Sequence, residues 1–346
     1  MTFGLGRWVV RVALVLGSRS LAAQDTTHAA ADTSTARDSA PASHAGHFHI
    51  GLTIHGYGLD FGNARRITGI RLNVQDADLD RVNGINVTLW KPREPLSGTV
   101  NGLQVGLLPG SRQVSGIAVG LGGVVTEERA RWVTIGGLGA VSNGVIEGIG
   151  IGGLGLVADG AIRGIGIGGL GAVSNRDIHG IVVGGLGTVA NEDIWGIAVG
   201  GLGTVANRDI AGVAIAGLGT VANRDVKGVG AAGLGLVANG SITGIGIGGL
   251  AVVANGSMTG LGIGGLAVVA NEEVNGIAVA GYSVDSHALT GFAISPYNRI
   301  RGPQRGLVIG IYNSAYELHG VQIGLINRAK NNKPPFKILP LLNVHL

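Results

Sequence analysis

Between residues 132 and 281 the chain repeats a 16-residue unit with no insertion or deletion, and no other feature constrains its fold as tightly. The unit reads G-[IV]-x-[IV]-G-G-L-G-x-V-[AS]-N-x-x-[IV]-x. Its opening Gly recurs at 148, 164, 180, 196, 212, 228, 244, 260 and 276, and Leu recurs from Leu138 to Leu266 before Tyr282 ends that series. Asn143, Asn175, Asn191, Asn207, Asn223, Asn239, Asn255 and Asn271 form a third series, with Asp159 in its one gap. A fixed period of this length signals stacked units, each too small to bury its own apolar side, so that neighbours complete the core.

Helix is disfavoured for the unit, because four or five Gly in 16 residues would cost about 1 kcal/mol each relative to Ala. Extended structure fits, with large and small residues alternating at the period of a strand in Ile165-Gly166-Ile167. The third position of the motif is Gly, Ala or Val centrally and Gln in outer copies. That pattern places it on the outside, with the flanking Ile/Val pair inside. Asn-Gly and Asn-Arg-Asp steps supply turn chemistry.

Two all-β architectures can be built from such units. In a parallel β-solenoid each unit is one coil, and coils stack about 4.8 Å apart. In an antiparallel outer-membrane β-barrel each unit is one strand. The Asn series favours the solenoid, because stacking lays each Asn over the next in a hydrogen-bonded ladder inside a turn. The barrel would place consecutive Asn residues at opposite rims, and it calls for aromatic girdles that the central units lack. Looser copies anchored on Gly51, Gly69, Gly84, Gly102 and Gly116, and on Gly291, Gly306 and Gly320, extend the array to about 18 coils, a rod of about 85 Å.

The chain divides by composition into five stretches. Residues 1–23 have a cationic start, a short apolar run and small residues at Ser20, Ala22 and Ala23, and read as a signal peptide for export. Residues 24–49 are an Ala/Ser/Thr/His spacer too polar to offset chain entropy. Irregular N-terminal repeats occupy 50–131, the regular array 132–281, and irregular C-terminal repeats with a cap 282–346. Pro92 and Pro95 on one side, and Lys330, Lys333, Pro334, Pro335 and Lys337 on the other, are the residue types that block sheet edges. The formal charge of +4 comes largely from Arg7, Arg11 and Arg19. Beyond residue 23 there remain 22 basic and 21 acidic residues, which gives nucleic acid no electrostatic footprint. Cys is absent, so disulfides and thiolate metal sites are too.

Several motifs fail the tests of their context. Gly148, Gly150 and Gly153 fit G-x-G-x-x-G but open no helix. Asp76, Asp78 and Asp80 imitate the start of a Ca²⁺ loop, yet Arg81 and Val87 stand where Gly and Glu are needed. His44, His47 and His49 read as a solvated tail, and His179, His287 and His319 are scattered. The Asp177, Asp193, Asp209 and Asp225 row reads as turn capping, compensated by Arg176, Arg208 and Arg224. Thr188, Thr204 and Thr220 form a row on a flat face, too short for ice binding. No catalytic or metal-ligating set emerges, and no cofactor is expected.

The units Gly-Val-Gln-Ile-Gly-Leu-Ile-Asn at 320–327 and Gly-Leu-Val-Ile-Gly-Ile-Tyr-Asn at 306–313, with the ending Pro-Leu-Leu-Asn at 340–343, resemble those of bacterial surface repeat-containing proteins. The resemblance covers most of the chain after the leader but rests on a short degenerate motif. It implies an exported, surface-associated protein and supplies no catalytic residues to carry over. The expected function is a non-enzymatic structural or interaction role at the cell surface or outer membrane, with a surface partner or membrane component. An outer-membrane channel is the alternative, and a carbohydrate-active β-helix enzyme a third.

Overall fold

A computed structural model describes residues 49–345, which fall within one compact unit, Gly46–Leu346. The leader of residues 1–23, most of the spacer, and His44 and His47 lie outside the described residues. His49 opens the first strand. The described residues form strands, turns and bends with no helix.

Each regular unit makes a long and a short strand, as in Ile162–Gly168 followed by Gly171–Ser174. Both pair in parallel with the strands one period away: Gly164 lies between Gly148 and Gly180, and Val173 between Val157 and Val189. The chain is therefore a parallel β-solenoid with a period of about 16 residues, and the barrel alternative does not hold. Among the described residues only the end strands pair antiparallel, His49–Ile54 with Tyr57–Gly62 and Ile338–His345 with the strand around Gly320. Gly51 sits in the first of these, opposite Asp60, so the Gly row begins at Gly58 and not at Gly51. The short strands begin only at Gly110, which reduces the expected 18 coils to about 15 complete turns.

The Gly row has a conformational cause. Gly180 has φ +127°, a region that L side chains avoid, and a Cβ there would stand 2.1 Å from the Gly164 carbonyl oxygen one coil below. From Gly58 to Gly320 one residue breaks the row: Trp132, with φ +85°, pairs between Gly116 and Gly148.

The side-chain orientation expected for the long strand is reversed. Gly166, Val182, Ala198 and Ala214 of the third position point inward, while Ile165 and Ile167 point outward and are 40% exposed each. Gln104 and Gln322, in the outer copies, are also fully buried. The cause is the shape of the interior. The turn through Gly169 and Leu170 is so tight that a Cβ on Gly168 would lie 1.9 Å from the Gly171 carbonyl oxygen, and one on Gly166 2.8 Å from a Leu156 methyl. Near the tight turn a large side chain fits only against Gly on the facing strand, as Leu156 does against Gly150 and Gly166, while toward the other turn Ile162, Ile178, Ile194 and Ile210 are completely enclosed. A wedge this thin accepts small residues along most of its length. The period-2 alternation then puts the large ones in solvent.

Thr188, Thr204 and Thr220 likewise leave their expected surface face. They are fully buried, and their hydroxyls donate across the wedge to the carbonyls of Val199, Ile215 and Ala231 at 2.8, 3.0 and 3.0 Å.

Candidate functional site

One corner of each coil, residues 175–179 in the reference unit, gathers most of the charge of the regular array. The Asn amides there do form a ladder. Asn191 Nδ2 donates to Asn175 Oδ1 at 2.9 Å, and the same bond recurs upward through Asn207, Asn223, Asn239, Asn255 and Asn271 at 3.0–3.2 Å. Asn143 and Asn175 donate instead to carboxylates, Glu127 and Asp159. The ladder faces water almost throughout, so it does not occupy the turn interior expected for it.

Next to it, each Asp caps the coil above. The Asp209 amide donates to Asp193 Oδ1 at 2.8 Å, that of Asp225 to Asp209 at 3.0 Å, and that of Ser241 to Asp225 at 2.9 Å. Arg208 bonds to Asp193, and Arg224 to Asp209 at 2.7 Å. Burial works to raise the Asp193 pKa, but the bonds from Arg208 and the Asp209 amide outweigh it and hold the carboxyl below its ordinary range. The Ser241 amide, helped by Lys227, does the same for Asp225. These carboxylates are engaged in holding coils together, and among the described residues no group of three or more His, Asp or Glu is placed to hold a metal ion.

Polar groups also plug both ends of the interior. At the N-terminal end the buried Arg71 guanidinium bonds to Asp76 and donates to Asn86 and Asn63, both at 2.9 Å, while Thr88 donates to Asp76 at 2.7 Å. Asp80 pairs with Arg66 on the surface. The Asp76, Asp78 and Asp80 run thus diverges, with Asp76 and Asp80 engaging different arginines and forming no Ca²⁺ loop. At the C-terminal end a second Asn ladder is fully buried: Asn298 donates to Asn313, and Asn313 to Asn327, both at 2.8 Å. Its signal in the sequence was the recurrence of Asn at 298, 313 and 327, at a different place in the unit from the Asn175 series.

The outer surface is the unusual part. Two neighbouring outward rows run through consecutive coils, one from Leu59 through Ile70, Ile85 and Leu103 to Leu307, the other from Phe61 through Leu72, Val87 and Val105 to Ile309. Neither contains a polar or charged residue. The Leu series forms a ridge at the tight turn, with Leu138 to Leu266 between 46% and 54% exposed. Beyond the ridge the short strands present Val141 through Val269, half-buried. The apolar surface therefore wraps around an edge and stops on both sides at the polar corner.

From the strand geometry the two Ile rows run about 80 Å at a width of about 10 Å, which the ridge raises to about 15 Å over about 40 Å of their length. Roughly 1,000 Å² of mostly apolar surface exceeds the largest patch of a typical soluble monomer, about 300–600 Å². Trp195 and Trp132 lie along its border with the polar corner, both exposed, and Trp195 stacks on His179 with ring centroids 6.4 Å apart. A shallow depression belongs to the same surface, lined by Phe61, Leu72, Val74, Val87 and Leu89 near the N-terminal end. No polar side chains converge on it beyond Asn73 at its rim. No family model, no curated protein and no solved structure matches the chain.

Proposed function

We propose that this protein is an exported, non-enzymatic rod of the bacterial surface or outer membrane, acting by docking its apolar outer face against a partner. The observation that carries the reading is the pair of uninterrupted apolar rows on the outside of the solenoid. Apolar surface on this scale is stabilised by being covered, at roughly 25 cal/mol per Å² removed from water. The non-catalytic role is supported by the carboxylates of the Asp row, which are committed to backbone amides and Arg side chains. Export is supported by the leader of residues 1–23, and a surface location by the resemblance of the 306–313 and 320–327 units.

Expression of the full chain in a diderm bacterium, followed by fractionation and N-terminal sequencing, tests the proposal. The expected product begins within a residue or two of Ala23 and sediments with the envelope. A cytosolic product that keeps Arg7 and Arg11 overturns it.

A further inference from the structure

We infer that the partner of the outer face is the hydrocarbon of one lipid leaflet, into which the Leu ridge projects as a keel while the Asn corner stays in water. This rests on the docking reading above and names what is docked.

Four observations point to lipid. The first is shape: a flat protein partner covers one sheet face, whereas here the apolar surface continues from Ile165 and Ile167 around Leu170 to Val173, which a fluid covers and a second flat face does not. The second is the backbone of the ridge. Hydrocarbon tolerates no unpaired N–H, and at this turn the donors are satisfied from coil to coil: Leu170 N–H to the Leu154 carbonyl at 2.6 Å, Gly169 to Gly152 at 3.0 Å and Gly171 to Leu154 at 3.2 Å.

The third observation is depth. The strand from Gly164 to Gly168 spans about 13 Å, with the turn through Gly169 and Leu170 beyond it, against about 15 Å for half of a bilayer's hydrocarbon. With Leu170 near the midplane, Ile165 and Ile167 lie in hydrocarbon or at its boundary. Trp195, in the row above, sits at the level where indole rings concentrate.

The fourth is extent. The ridge from Leu138 to Leu266 is about 40 Å long by coil spacing, longer than the roughly 30 Å of a whole hydrocarbon core. An axis across the bilayer would drag the Asp193–Arg208 and Asp209–Arg224 pairs through it. An axis in the plane leaves them all in water. At its C-terminal end the keel changes character, since Leu266 is followed on the ridge by Tyr282 and Pro296, and the Val row by Asp285 and Arg299. That end is built to emerge.

The chain has no Cys, so single sites can be labelled cleanly. Leu202→Cys on the ridge and Asn207→Cys on the opposite corner, each carrying an environment-sensitive fluorophore, are mixed as full chains with phosphatidylcholine vesicles. Some of these vesicles are brominated deep in the acyl chain. The expected result is a blue shift and at least twofold quenching by the deep bromines at position 202, with neither at 207. Substituting Leu186→Asp, Leu218→Asp and Leu234→Asp in the labelled chain should reduce vesicle binding at least tenfold, with the circular dichroism spectrum unchanged.

If the label at 202 is shielded only without lipid, in step with a dimer seen by light scattering, a second copy is the partner; the lipid inference falls and the docking reading stands. If the label stays aqueous at every protein and lipid concentration, both fall. Equal shielding at 202 and 207 overturns the keel orientation.

Discussion

Trp132 occupies a position that the rest of its row reserves for Gly. A non-Gly residue at φ +85° costs on the order of 1–3 kcal/mol. Trp132→Gly should therefore raise stability by about that amount, read as a higher denaturation midpoint. The exposed indole suggests what the strain secures, namely a large amphipathic ring at the border of the apolar face. The converse change, Gly180→Ala, puts a Cβ 2.1 Å from the Gly164 carbonyl oxygen and should destabilise the array. Acidity acts at the same scale. Asp193 and Asp225 have folded-state pKa values below their unfolded ones, so their contribution is complete at neutral pH and is lost as pH falls through about 4 and below. Denaturation at pH 7 and pH 3 should show a drop that narrows when both are replaced by Asn.

The two Asn ladders use one side chain in two settings. Asn207 is exposed, so Asn207→Leu forfeits two ladder bonds, each at most about 0.5–1.5 kcal/mol net, with water free to serve Asn191 and Asn223. Asn313 is fully enclosed and bonded to Asn298, Asn327 and the Ile323 carbonyl, so Asn313→Leu leaves buried groups unpaired. It should cost more, about 1–3 kcal/mol for each stranded group, and parallel denaturation of the two variants measures the difference. The contrast also marks how far the sequence could be read. The period, the parallel stacking and the coil-to-coil bonding of the Asn175 series all follow from identical residues at identical spacing. The sense of the strand did not follow: Ile165-Gly166-Ile167 alternates equally well with Gly inside or outside. Hydrophobicity chose wrongly because it assumes a core wide enough for Ile. What decides the sense is the tightness of the turn at Gly168, a three-dimensional constraint that one unit does not display, and with it went the apolar face and the placement of Thr188.

At the scale of the whole array, the chain reverses direction at both ends. Ile338–His345 folds back antiparallel over the last parallel strand, Gly320 opposite His345 and Gln322 opposite Asn343. It covers a row of donors and acceptors that would otherwise accept another parallel coil. Truncation after Ala329 should therefore give concentration-dependent end-to-end association in light scattering, whereas a truncated chain that remains monomeric would show that the folded-back strand does not guard the edge.

Placing two whole rows of Ile, Val and Leu and the Leu ridge outside, with Gly and Ala filling much of the interior, also changes the heat balance of unfolding. In most proteins the melted chain exposes apolar groups that were dry, and the heat capacity rises by about 12–15 cal/mol/K per residue. Here much of the aliphatic surface is already hydrated in the free folded array. Calorimetry without lipid should give a clearly smaller increment per residue and a flatter dependence of stability on temperature. Stability of this kind is carried by bonded backbone more than by water release, and it should hold nearly constant between a cold and a warm environment.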